Sequence, residues 1–324
     1  MRPGAVGQGP VGPGRSRGIM VSVMMRNHLS IVALAVFTGA LVAAAPPSSS
    51  SQTPRGEILY QSDREGPTRI FVRDVATGAE RRVGTAGEWW DEEPVWSRDG
   101  KRIAFGSTRG GGRNIDIWVM DADGSNRVRL TDHPANEQGP AWAHDDKSVF
   151  FTAERDGHGQ IYRVWLDDKR VEQITHGPHR AVMAAASADG RYLAYAVQMA
   201  NFQLFLLEFT TGATRQITTG EGACRPSFAP DSQEIAFVRM GEPSHLEAVR
   251  EEGPRVIQKD PRLWSYYPDY SPDGRYVVFS VSPEHHLGED WDLAVMDLQQ
   301  PGQFTRLTKG AGNDRVPRWR PVIR

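Results

Sequence analysis

The chain has 324 residues, so at roughly 150 residues per domain two domains are the starting expectation. Its 38 Lys and Arg against 40 Asp and Glu give a net charge of −2, which excludes a sequence-independent nucleic-acid binder built on basic excess. Charged residues at 24% and hydrophobic residues at 39% exclude wholesale disorder and a multi-span membrane protein, and the one cysteine, Cys224, excludes an intrachain disulfide, a cysteine-rich zinc site and a CxxC redox motif.

The first 45 residues carry Arg2, Arg15, Arg17 and Arg26 and no acid, which leaves the remainder at −6. Arg26 and His28 precede an apolar run from Leu29 to Ala45 that ends in small residues, the pattern of a secretory signal. Val42 and Ala44 place the cut after Ala44, ahead of Pro46, and Met20, Met24 or Met25 is an alternative start. An uncleaved membrane anchor is the alternative, since 17 apolar residues reach the lower edge of a span. Residues 46–56, with a serine run, read as a flexible linker.

The rest is a repeat. Pro94-Val-Trp96-Ser-Arg-Asp99-Gly100-Lys-Arg-Ile-Ala-Phe105 recurs from Pro140, Pro226 and Pro268, and more weakly from Ala184. Its aromatic marker falls at Trp96, Trp142, Ala186, Phe228, Tyr270 and Trp319, spaced by 46, 44, 42, 42 and 49 residues. Such a period belongs to propeller blades of four strands. In each unit a short strand ends in a Ser-x-Asp-Gly type turn, where Asp bonds its own backbone and Gly supplies positive φ. The second strand is apolar, as in Ile103-Ala-Phe105, and a third follows a polar loop, as in Ile115-Asp-Ile-Trp-Val-Met120. A second tight turn leads to a fourth strand ending Arg129-Leu-Thr131, Gln173-Ile-Thr175, Gln216-Ile-Thr218 or Arg306-Leu-Thr308. Ser244 to Gly253 departs from the third-strand pattern and reads as a drifted strand, with a partner-binding insertion as the alternative.

The first unit starts at a second strand, Glu57-Ile-Leu-Tyr60, and the last segment, Val316 to Pro321, matches an innermost strand. The C-terminal strand therefore completes the first blade, which leaves no open sheet edge at the seam. The fold expected is all-β: a six-bladed β-propeller of four-stranded antiparallel blades over residues 57–321, with 322–324 as a tail.

These repeats resemble the WD-type repeats of the TolB-like propeller family, over essentially the whole mature chain. The resemblance implies a periplasmic, partner-binding role in the cell envelope. The family's namesake arrangement places an α/β domain before the propeller, whereas here about ten linker residues separate the signal from the first strand. Related propellers of prolyl oligopeptidase-like enzymes carry a hydrolase domain, for which this chain leaves no room.

No Gly-x-Ser-x-Gly elbow, His-Glu-x-x-His helix or P-loop occurs. Asp121-Ala-Asp-Gly-Ser-Asn126 resembles the start of a calcium loop but lacks the Glu at its twelfth position, and reads as a hairpin turn. The repeated Asp residues read as turn formers, and the aromatic markers as packing between blades.

Loops joining strands two and three, and those joining one blade to the next, open on the same face. Every histidine after the signal except His144 is assigned to them. Approaches to the innermost strands bring Asp91, Glu93, Glu137, Arg180, Arg225 and Asp314 toward the channel mouth, and the loops add Arg109, Arg113 and Arg155. These nine are the candidate ligand- or partner-binding residues. The leading reading is an exported, periplasmic or secreted, non-enzymatic propeller that binds a protein or cell-envelope component through this face, with no cofactor and no nucleic acid. The alternative is a metal-dependent enzyme of polysaccharide-lyase type, which the resemblance implies because some TolB-like propellers resemble such lyases; the divalent metal would be held by candidates among His133, His158, His176, His179, His285 and His286, since convergent imidazoles and carboxylates are a ligand set for zinc- or manganese-type ions.

Overall fold

The computed structural model describes residues 54–322 apart from 86, 110–113, 156, 286–287 and 311. The expected signal segment, Arg113 and His286 therefore lie outside the described residues, which belong to one compact unit, Gln52–Arg324. Among them no helix is long and apolar enough to cross a membrane.

Six four-stranded antiparallel sheets form the unit. Blade one combines β1 (Glu57–Ser62), β2 (Arg69–Asp74) and β3 (Glu80–Val83) with the last strand, β24 (Arg315–Trp319). Blade two is β4 (Asp91–Trp96), β5 (Arg102–Ser107), β6 (Asp116–Asp121) and β7 (Val128–Arg129). Blade three is β8 (Glu137–Trp142), β9 (Ser148–Ala153), β10 (Gln160–Trp165) and β11 (Val171–Gln173). Blade four is β12 (Arg180–Ala186), β13 (Tyr192–Gln198), β14 (Phe202–Glu208) and β15 (Thr214–Gln216). Blade five is β16 (Ala223–Phe228), β17 (Ile235–Arg239), β18 (His245–Arg250) and β19 (Gly253–Gln258). Blade six is β20 (Trp264–Tyr270), β21 (Tyr276–Ser282), β22 (Asp292–Asp297) and β23 (Phe304–Arg306).

The innermost strands β24, β4, β8, β12, β16 and β20 adjoin in that order and close a ring. Closure is made by β24 pairing with β1, Ile58 opposite Trp319, as the half-blades at the two ends of the repeat require. One architecture thus replaces the two domains that length alone suggests.

The core lies between blades. Because side chains alternate along a strand, Ile58 and Tyr60 pack against Tyr276, Val278 and Leu293 of blade six. Leu59, from the other face, packs against Trp96, Ile103 and Phe105 of blade two. Each second strand is buried on both faces, which is why it reads as an unbroken apolar run. β18 fills the third place in blade five: Leu246 and Ala248 are fully buried and pair with Val238 and Ala236 of β17.

The repeated polar motifs are structural. In blade two, Ser97 Oγ donates to Asp99 at 2.6 Å and accepts the Arg102 N–H at 2.9 Å, and Ser187 and Ser271 repeat both bonds. The motif threonines Thr131, Thr175, Thr218 and Thr308 each accept a third-strand N–H at 2.8–2.9 Å. Two blades depart from glycine at the turn. Asp146, with φ 56°, accepts the Arg98 and Asp99 N–H groups of blade two at 2.7 and 2.9 Å. Ser232, with φ 60°, accepts those of Ala188 and Asp189 in blade four at 3.1 and 3.3 Å. The residue that tolerates the left-handed backbone also fastens the neighbouring turn.

Candidate binding site on the loop face

Every innermost strand breaks register against its second strand at one place. A left-handed residue sits at each break: Glu93, Gly139, Met183, Arg225, Tyr267 and Val316. Such bulges re-aim side chains, and here they line the ring's axis. Blades two and five stand opposite one another, so the 2.6 Å ion pair between Glu93 and Arg225 spans the axial channel. Blade one holds the Glu93 N–H through Gln61 Oε1 at 2.7 Å, and blade six sets the Tyr267 ring 4.6 Å from the Arg225 guanidinium. Burial would lower the Arg225 pKa, but Tyr267 and Glu93 outweigh it and raise it. Glu92, beside Glu93, is pushed up to about 7 by burial and by its charged neighbour.

The axis holds a depression at each end of this bridge. Toward the tight turns lies one of about 610 Å³, lined by the ends of the innermost strands and including Arg98, Asp269 and Arg318. On the loop side, next to Arg225, lies a smaller cavity of about 190 Å³.

Of the sequence candidates, Glu93 meets Arg225, and Glu137 accepts from Arg155 Nε at 3.1 Å. Asp91, Glu137 and Asp314 occupy one strand position and are all buried. Their partners lie within the ring: Glu137 also reaches Thr131 of blade two, and Asp314 reaches both blade one and blade six. Asp91 accepts the Ser107 hydroxyl at 2.6 Å, and Asp314 interacts with Ser62 and Thr308. Burial raises the pKa of all three. Arg180 is exposed and pairs with Glu154 at 3.1 Å.

Arg109 lies elsewhere on the loop face, its guanidinium 3.8 Å from the Trp89 ring centroid. Arg69, buried, donates to the Gly87 and Trp89 carbonyls. Arg127 stands 3.8 Å from Asp91. Three guanidiniums thus share one buried carboxylate, and burial and the Arg127 charge lower the Arg109 pKa. Beside them Trp90 is 55% exposed, while its backbone is fixed by two hydrogen bonds to Thr108, at 2.9 and 3.1 Å. Trp90 is not among the residues expected from the sequence; the signal that marks it is the pair Trp89-Trp90, which falls outside the repeat's aromatic position.

The described histidines make local contacts of their own. His133 Nδ1 accepts the Ala135 N–H at 3.1 Å, His158 Nε2 meets the Gly177 carbonyl at 2.7 Å, and His176 and His179 are exposed. His285 packs edge-on against Trp264 at 4.8 Å. His245 corrects the loop assignment: it is the buried first residue of β18, 3.2 Å from Glu247. Burial lowers its pKa despite Glu247. Among the described residues no group of three or more His, Cys, Asp or Glu is placed to hold a metal ion.

Comparison with known proteins agrees with this architecture. The chain is 26% identical over 195 residues to the uncharacterized peptidase YuxL of Bacillus subtilis, covering 60% of this chain and 28% of that one. It is 26% identical over 209 residues to the Tol-Pal system protein TolB of Francisella tularensis, covering 61% and 47%. The chain thus spans less than half the length of either relative. Among solved structures, TolB from Acinetobacter baumannii superposes with a TM-score of 0.69 at 22% identity, over 82% of this chain and 67% of that one. An oligogalacturonate lyase in complex with manganese superposes with a TM-score of 0.51 at 17% identity, over 79% and 74%. At these identities the two structures speak to the fold alone. The family model described as the TolB beta propeller domain matches residues 43–261, more than half of the sequence, and the chain belongs to that family.

Proposed function

We propose that this chain is an exported, non-enzymatic propeller that binds a protein or cell-envelope component through its loop-rich face, with Trp90 and Arg109 as the anchor. The observation carrying this reading is the exposed Trp90 on a fixed backbone beside arginines whose charge a single buried aspartate does not balance. Trp and Arg dominate interface energetics where they can be desolvated together, and an immobilised backbone lowers the entropy lost on docking. The complementary surface carries carboxylates around an apolar pocket. Export follows from the signal pattern before residue 46, and the likeness to a Tol-Pal system protein supports an envelope setting.

Affinity capture from an envelope extract tests the reading. The unmodified protein is expected to retain a specific partner, with Trp90→Ala and Arg109→Ala each weakening capture by about tenfold or more. Equal capture by both variants would overturn the loop-face assignment. Metal-dependent cleavage of acidic oligosaccharides by the purified protein would replace it with the lyase-type alternative.

A further inference from the structure

The 190 Å³ cavity on the loop side of the axial bridge carries two donors that the fold leaves unused. Its walls are apolar and soft: Met183, Phe202, Met240, Tyr266 and Trp291. Trp291 is 2% exposed, and its Nε1–H has no hydrogen-bond partner. Arg315, also in the lining, leaves Nε buried and unpartnered, while its Nη2 donates to the Gly288 carbonyl and to Asn313 Oδ1. The two side chains are neighbours, the guanidinium 5.2 Å from the indole centroid.

The charges in this cavity are not equally available. Arg225 also lines it, but that guanidinium is held by Glu93 across the axis. For Arg315 the interacting carboxylate is Asp63, which is committed to the Asn313 backbone N–H and Nδ2, both at 2.7 Å. Among the described residues Arg315 makes no ion pair. Buried donors without acceptors are rare in folded proteins because water is lost and nothing replaces it. Two lie against this one apolar cavity, one of them on a cation without an ion pair, and an acceptor of single negative charge would satisfy both.

We propose that this cavity binds a small aromatic monocarboxylate, its ring among the methionine and aromatic side chains and its carboxylate accepting from Arg315 and Trp291. Size sets the ring: an apolar cavity of about 150 Å³ is enough for benzene, so 190 Å³ admits one ring with a short acid arm. Donor number sets the head group. One guanidinium and one indole N–H match a carboxylate, whereas a phosphate dianion would leave charge and lone pairs unmatched.

Calorimetric titration of the full chain with phenylacetate, phenylacetamide and acetate is the test, read together with methionine-methyl NMR. Phenylacetate is expected to bind one per chain and to shift the Met183 and Met240 methyl signals. The neutral amide and the ring-less acid should each bind about tenfold more weakly or worse, since charge-assisted bonds are roughly twice as strong as neutral ones. Arg315→Gln should erase the preference for acid over amide. The ligand comparison on the unmodified protein needs no variant: equal affinity for phenylacetate and phenylacetamide, shifts confined to other methionines, or no saturable phenylacetate binding would each overturn the proposal. A preserved acid preference in Arg315→Gln would do so as well.

Discussion

The two ends of the axial channel are made from the same six strands, yet a carboxylate at one end and a carboxylate at the other meet opposite surroundings. At the tight-turn end, Glu234 accepts from Arg250 and Arg255, each at 2.9 Å, and from the Tyr270 hydroxyl at 2.5 Å. Burial would raise its pKa, but those donors win and hold it at about 2. At the loop end, Glu92 has burial and the Glu93 charge against it, only Arg225 in its favour, and a pKa of about 7. Donors without acceptors occur at both ends, on Trp291 and Arg315 beside the loop-side cavity and on Trp96 and Arg318 beside the turn-side one. The contrast therefore lies in the two carboxylates: three donors hold Glu234 ionised, whereas burial beside Glu93 works against the charge on Glu92.

If the turn end is the structural one, its closure should be costly to break. Trp319 gives its N–H to Asp269 at 2.8 Å, its Nε1–H to the Arg55 carbonyl at 3.2 Å, and its ring to Tyr276 at 6.3 Å. Trp319→Ala should destabilise by about 3–5 kcal/mol, measured by denaturant unfolding, and a loss below about 1 kcal/mol would mean the seam is not closed as described. A smaller effect isolates the clasp between blades. Asp146→Gly keeps the left-handed backbone and removes two charge-assisted acceptors, so a loss of about 2 kcal/mol is expected. An unchanged unfolding midpoint would show that the clasp does not hold in solution.

The sequence displayed the turn end and hid the loop end for a physical reason. Ser97, Asp99 and Gly100 satisfy one another within a few residues, and Thr131 reaches a strand only 14 residues away, so these bonds leave a local spacing that repeats. Glu93 and Arg225 are 132 residues apart and meet because blades two and five face each other; each was legible as a channel residue, but not the pair. Asp91, Glu137 and Asp314 read as channel-mouth acids from their place on the approach to the innermost strands, and only the packed blades reveal the hydroxyls and the guanidinium that let them be buried. β18 lacks the aromatic signature of its counterparts, yet the alternation of Leu246 and Ala248 still carried the strand. Trp90 carries no repeat spacing of its own, so its exposure emerges only from the folded blades.

Titration sharpens the contrast between the two carboxylates. Glu234 has a folded pKa below its ordinary 4.5, so its contribution is present above that value and is lost as pH falls toward 2. Glu92 has a folded pKa above 4.5, so the native state binds the extra proton and stability declines as pH rises from 4.5 through 7. Glu92→Gln should therefore gain on the unmodified protein between pH 5 and pH 8, by about 1–2 kcal/mol given its partial exposure. A parallel pair of stability–pH curves would remove the loop-end strain from the comparison.

The smallest effect on stability is expected where the largest effect on binding is proposed. Trp90 packs little of its surface, and the hydrogen bonds that fix it are made by its backbone N–H and carbonyl. Trp90→Ala should therefore leave the unfolding midpoint within about 0.5 kcal/mol of the unmodified protein. Loss of partner capture at unchanged stability would separate binding from folding at this face. A stability loss of about 2 kcal/mol or more would instead place Trp90 in the core accounting, and the two ends of the molecule would then differ in regularity but not in role.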